Sequence, residues 1–174
     1  TSERVFTVSC ESEKIPEIGK FDSYTMYTIL IVTLLLSVAK ATQFKTAYFN
    51  QTLDHFDENN TQVWKQRYLF SDEFWGKATD DRYALGPSCP GPILLYTGNE
   101  GSIEAFWDAN GFMTDILAPQ FGAFLLFPEE RYYGVSLPFG SDSFVPENAK
   151  YLSTKQVLED IVKIVLDVKT NFRE

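Results

Sequence analysis

Two loops in this sequence combine glycine with polar or charged residues in the way that a developing negative charge or a bound substrate would require. The first reads Tyr96-Thr97-Gly98-Asn99-Glu100-Gly101 and directly follows an apolar run. Its two glycines allow positive φ, so the amides of Gly98, Asn99, Glu100 and Gly101 could turn toward an oxyanion. An ordinary strand-to-helix turn has the same composition. The second loop runs from Pro128 through Glu129-Glu130-Arg131-Tyr132-Tyr133-Gly134-Val135-Ser136 to Gly140. Its adjacent carboxylates suit acid–base chemistry, but Arg131 beside them favours a solvated or structural ion pair. Arg131, Tyr132, Tyr133 and Gly134 are candidates for lining a substrate pocket, although aromatic side chains at a strand end serve packing equally well.

No catalytic residue is assigned within the chain. A G-x-S-x-G elbow is absent; Gly134-Val135-Ser136-Leu137-Pro138 and Gly86-Pro87-Ser88-Cys89-Pro90 come closest, and both put proline where the sharp strand-to-helix turn needs glycine. The one histidine, His55, lies within Leu53-Asp54-His55-Phe56, where a packed or capping role is expected. No phosphate-binding loop, dinucleotide fingerprint or zinc-type His/Cys spacing is present, so neither cofactor nor metal is expected.

The elements that would position these loops follow from hydrophobic periodicity. Lys45 to Phe49 and Val63 to Phe70 read as short aromatic-rich strands; in the second, Trp64, Gln66, Tyr68 and Phe70 share one parity, as in a half-buried strand. Ile93 to Tyr96 and Ala123 to Phe127 are continuous apolar runs, which predicts strands buried on both faces. A helix interrupted near Gly111 is expected over Glu104 to Leu117. The last segment predicts a helix over Ser153 to Phe172, opened by a Ser153/Gln156 capping box. Its apolar stripe is Val157, Leu158, Ile161, Val162, Ile164, Val165 and Val168, with Glu159, Asp160, Lys163, Asp167 and Lys169 opposite. This order describes an open α/β sheet with helices on its faces, and in such sheets ligands bind at the carboxyl ends of the strands, where both loops lie.

Ahead of the sheet, Tyr27 to Ala39 is thirteen residues without a charge, short of the roughly 20 apolar residues that span a bilayer. It fits the apolar core of a secretory signal peptide starting at Met26. Ala39-Lys40-Ala41 supplies the small-x-small pattern for cleavage before Thr42. A buried core segment or an uncleaved anchor would read similarly. The expected division is residues 1–25 as an upstream extension, 26–41 as signal peptide, and 42–174 as the folded part, with no stable membrane span. Asn50-Gln51-Thr52 and Asn59-Asn60-Thr61 are glycosylation sequons at Asn50 and Asn59, consistent with secretion. Cys10 would leave with the leader, so Cys89 either has a partner elsewhere or is a free buried thiol. A net charge of −9 without long runs of one sign argues against nucleic acid as a partner.

Five motifs now stand in one order: Tyr48 to Phe56, Gln66-Arg67-Tyr68, Ile93 to Gly101, Arg131 to Gly140 and Tyr151 to Gln156. From about Ala47 to Phe172 the chain resembles the N-terminal part of the prolyl serine peptidase family, the group of lysosomal Pro-X carboxypeptidase, dipeptidyl peptidase II and thymus-specific serine protease. The resemblance implies the N-terminal half of an α/β-hydrolase sheet, truncated before the nucleophile elbow, with serine, aspartate and histidine downstream together with a helical cap. It implies a serine exopeptidase for peptides with proline beside the cleaved bond, of carboxypeptidase or dipeptidyl-peptidase type, working in lysosomes or outside the cell, often as a homodimer. As a fragment the chain would be inactive. A secreted non-catalytic peptide-binding or decoy protein on the same fold is the alternative, and an esterase shares the sheet order but not these loops. Two residues depart from the family pattern: Glu130 where histidine is usual, and Ser102 where aspartate is common.

Overall fold

The computed structural model describes residues 41–85 and 90–172. The proposed leader up to Lys40, both cysteines and the Gly86–Cys89 stretch lie outside the described residues. β1 (Lys45–Thr52) and β2 (Val63–Ser71) form an antiparallel hairpin with Lys45 opposite Phe70 and Thr52 opposite Val63. The turn between them is built by short polar side chains that hydrogen-bond two residues on. Asp54 accepts from the Phe56 amide, Asp57 from the Asn59 amide and Asn60 from the Gln62 amide, each at 3.0 Å.

β3 (Ile93–Leu95) and β4 (Phe124–Pro128) complete a four-stranded sheet of order β1-β2-β4-β3. β4 pairs antiparallel with β2 and parallel with β3, Ile93 facing Phe124 and Leu95 facing Leu126. The two apolar runs of the sequence thus share one sheet, and the mixed sheet with its helices is of the α/β class expected. β3 nevertheless departs from the reading of a strand buried on both faces: its three residues are only half-buried, because it stands at one end of the described strand order. β2 departs the other way. From Gln66 onward both parities are buried.

The period of two sorts the interior into two layers. Leu69, Leu125 and Phe127 point to one face and pack with Ile103, Trp107 and Ala118, while Tyr68, Phe70, Phe124 and Leu126 point to the other and meet Ile164 and Val168. The first layer is covered by α1 (Ile103–Ala109), a π-helical segment Phe112–Leu117, and α2 (Ala118–Phe121). The expected break near Gly111 separates α1 from the π segment. A short helix α3 (Pro146–Ala149) precedes α4 (Thr154–Asn171), which covers the second layer.

α4 is oriented differently from its sequence reading. Asp160, assigned to the solvent side, is fully buried, whereas Leu158 and Val162 of the expected apolar stripe are 56% and 48% exposed. The ion pair described below draws Asp160 inward and turns the helix about its axis. Only half of the expected capping box forms. Ser153 Oγ accepts the Gln156 amide at 3.5 Å, but the Gln156 side chain reaches Asp54 at 2.6 Å and the His55 amide at 3.0 Å. Ser153→Ala is therefore expected to cost about 0.5–1 kcal/mol, the low end for an N-cap, measurable as a shift in the urea midpoint at unchanged slope.

Candidate functional site

The Thr97–Ser102 loop leaves the end of β3 and leans on the end of β4. Gly98 has φ of 84°, and a Cβ there would lie 2.9 Å from the Pro128 carbonyl oxygen. Glycine is thus required at this crossing on two counts. The Glu100 amide donates to Asn99 Oδ1 and the Gly101 amide to the Asn99 carbonyl, both at 2.8 Å. Two of the four amides expected to face an oxyanion are therefore turned back onto Asn99.

The second loop does not behave as its sequence suggests, because Glu129 and Arg131 lie beyond the end of β4, where the chain leaves the sheet and each side chain follows its own partner. Glu129 and Arg131 do not pair with each other and neither is solvated; both are fully buried and each finds a partner on a different element. Glu129 Oε1 accepts from Arg67 Nη2 at 2.5 Å and from the Ile103 amide at 3.2 Å. Its Oε2 accepts from Arg67 Nε at 3.2 Å, the Val135 amide at 3.1 Å and Ser136 Oγ at 2.8 Å. One carboxylate thus joins β2, the first turn of α1 and the 134–136 turn. Gly134 lies so close, with φ of 55°, that a Cβ would fall 1.9 Å from Glu129 Oε1. Arg67 also pairs with Glu104, reaching Oε2 from Nη2 at 2.7 Å, and contacts Ser102 Oγ. Burial opposes the charge on Arg67, but the hydrogen bonds of Glu129 and Glu104 outweigh it and its pKa is raised.

Arg131 points the other way. Its Nε donates to Asp160 Oδ2 at 2.6 Å and its Nη2 to Oδ1 at 2.7 Å, while Nη1 donates to the carbonyls of Leu53 at 2.9 Å and Tyr151 at 3.0 Å. His55 Nε2 lies 2.7 Å from Asp160 Oδ1 with only 4% of its side chain exposed, so this histidine is packed into a structural network. Two buried glutamines connect the clusters. Gln66 Nε2 donates to the Glu129 carbonyl at 2.7 Å, and Gln51 Nε2 reaches both Gln66 Oε1 at 2.9 Å and the Asp160 carbonyl at 3.1 Å. A continuous polar chain therefore runs through the sheet beneath both loops.

Of the residues nominated for a pocket, Arg131 and Tyr132 are inside the protein, 0% and 1% exposed. Tyr132 adopts φ of 73°, with its hydroxyl on the Asn148 carbonyl. Tyr133 remains half-buried and Gly134 exposed. Glu130, beside the first loop, is half-buried; burial raises its carboxyl pKa, and the charges of Glu100 and Asp160 push it the same way. Two shallow clefts of about 290 and 280 Å³ open elsewhere on the surface, and neither is lined by residues 98–101 or 131–134. Asn50 lies exposed on β1 and Asn59 exposed in the hairpin turn. Among the described residues no group of His, Cys, Asp and Glu is arranged to hold a metal ion, and no helix is long and apolar enough to cross a membrane.

Sequence reasoning missed Arg67, Gln66, Gln51 and Asp160 as the residues that brace the loops. The available signal was polarity out of place: Gln66 and Arg67 stand inside a strand followed by apolar residues, and Asp160 directly precedes Ile161 of the apolar stripe.

Residues 51–174 match the family described as serine carboxypeptidase S28. The chain is 40% identical over 138 residues to lysosomal Pro-X carboxypeptidase of Homo sapiens, covering 79% of this chain and 25% of that protein. It is 41% identical over 128 residues to the Bos taurus protein of the same name, covering 73% and 23%. Against prolyl carboxy peptidase like protein 5 of Caenorhabditis elegans the identity is 39% over 119 residues, covering 68% and 21%. The chain spans about a quarter of the length of these relatives or less.

Proposed function

The chain belongs to the serine carboxypeptidase S28 family, and from that premise we propose that the protein carrying it is a serine exopeptidase cleaving beside proline in the secretory pathway, in lysosomes or outside the cell. The observation that carries this reading is the joint position of the two family loops. Gly98–Gly101 and Arg131–Gly140 follow the parallel strands β3 and β4 at their carboxyl ends, where open α/β sheets bind ligands. Glu129 ties the flank of the first loop to the second through the Ile103 and Val135 amides.

In this reading the chain contributes a frame and not the reacting groups. The amides of Gly98 and Asn99, the two in the first loop not turned onto the Asn99 side chain or carbonyl, supply one oxyanion donor; the nucleophile and its acid and base partners come from sequence following this segment. Tyr133 and Glu130 face the substrate from the second loop. Asn50 and Asn59 carry glycans, and the full-length protein works as a homodimer.

The test uses the full-length protein secreted from cultured cells. A peptide ending in Pro-X, a peptide beginning X-Pro and a simple ester are offered separately, alongside a fluorophosphonate that labels activated serines. Release of the C-terminal residue or of the N-terminal dipeptide, with labelling, is the expected result, and which end is released decides between the two exopeptidase types. Ester hydrolysis without peptide cleavage would favour an esterase; no labelling and no turnover would leave a non-catalytic binding protein.

A further inference from the structure

Thr42 is 7% exposed although Ala41 and Gln43 on either side of it are exposed. Its single methyl group gives little hydrophobic reason for this burial; polar contacts hold it. The Thr42 N–H donates to Asp115 Oδ1 at 2.9 Å, its hydroxyl donates to the Thr114 carbonyl at 3.0 Å, and its carbonyl accepts the Trp107 indole N–H at 3.1 Å. The receiving surface is the π-helical segment Phe112–Leu117. There the Ala118 amide bonds back to the Met113 carbonyl, so the next donor in that register would be residue 119, and Pro119 has no N–H to offer Thr114. The Thr42 hydroxyl takes that acceptor.

A carboxylate is a stronger acceptor than one peptide amide requires. It matches an ammonium, which brings a full charge and three protons to the same place. We propose that Thr42 is the first residue of the processed chain and that its α-ammonium forms an ion pair with Asp115, pinning the new N-terminus to the π-helical segment. The inference rests on the secretory reading above and adds to it a docking site for the end that processing creates. Hydrolysis of the Ala41–Thr42 bond by a signal-peptidase-class endopeptidase consumes one water. Ala41 leaves as a carboxylate on the released leader, and the Thr42 nitrogen becomes an amine that is protonated at neutral pH and below. Cleavage acts on the extended chain during translocation, and Thr42 is buried afterwards as the sheet and α1 assemble. Burial raises the Asp115 carboxyl, but its hydrogen bonds with Thr42 and Thr114 prevail and its pKa is lowered, so the carboxylate stands ready for a cation.

The full-length protein is expressed in secretory cells, and its N-terminus is identified by mass spectrometry. Thr42 is the expected first residue. A glycosylated product starting anywhere else overturns the inference and leaves the secretory reading intact; a cytosolic, unglycosylated product retaining residues 1–41 overturns both. The ion pair is then read by acylating the α-amine with an N-hydroxysuccinimide ester at neutral pH. A rise of one unit in the amine pKa corresponds to a roughly tenfold smaller reactive fraction. The folded protein is expected to react about tenfold more slowly than the urea-unfolded protein, and Asp115→Asn to abolish most of that protection. Equal rates folded and unfolded overturn the pairing without recourse to the variant. A folded Asp115→Asn protein that stays fully protected overturns it as well.

Discussion

Replacing Glu129 with alanine is expected to destabilise the full-length protein by about 3–5 kcal/mol, the range for removing one partner of a buried ion pair. The carboxylate is fully buried, and its loss strands three kinds of donor at once: the Arg67 guanidinium, the amides of Ile103 and Val135, and the Ser136 hydroxyl. Arg67 keeps Glu104 as a counter-charge, which limits the penalty, but Glu104 is itself partly exposed. Glu129→Gln should cost less, because it preserves volume and one acceptor; its new N–H₂ then faces either Arg67 or the Val135 amide, both donors. Chemical denaturation of the two variants checks the order, and a loss for Glu129→Ala below about 1 kcal/mol would mean that water replaces the carboxylate. Function should fall further than stability. Both family loops hang on this side chain, and a displacement of about 1 Å near reacting groups can cost roughly a hundredfold in rate. The activity of a folded Glu129→Gln protein, in the peptide assay proposed above, is the corresponding measurement.

Asp160→Ala is the second large effect expected, again about 3–5 kcal/mol. Arg131 is fully buried, and its other acceptors are backbone carbonyls of Leu53, Thr52 and Tyr151, which hydrogen-bond the guanidinium without neutralising it. Asp160→Asn should recover part of the loss by retaining an acceptor. His55→Ala should cost less than either, because it leaves the bidentate Arg131–Asp160 pair in place. Combining Asp160→Ala with Glu129→Ala should give less than the sum of the two. Gln51 and Gln66 connect the clusters, so either substitution loosens a structure the other also depends on. Thermal or urea unfolding of the single and double variants measures that coupling, and strict additivity would show that the glutamine chain transmits nothing.

Much of the frame was readable from residue patterns. The apolar runs Ile93–Tyr96 and Ala123–Phe127 both supply strands, although β3 is only half-buried, and Gly111 marks the helix break, because both signals are local. The branded family loops were equally local, being short ordered strings. The failures share one cause, the side chain's choice of a partner distant in sequence. Glu129, two residues before Arg131, looks like its partner until Arg67 on β2 and Asp160 on α4 draw the two apart. Asp160 looks like part of a solvated helix face until Arg131, twenty-nine residues away, claims it.

The amino-acid sequence by itself determined the α/β order of elements, the glycines that free the backbone of the first loop, and the family to which the chain belongs. Those properties depend on periodicity, backbone conformation and short strings, which need no knowledge of the fold. Only the tertiary structure decided which charges neutralise one another, that Arg131 is internal and His55 meets Asp160, and that Thr42 settles on Asp115. Buried electrostatics depends on distance and desolvation in three dimensions, and neither quantity is written in the spacing of residues along a chain.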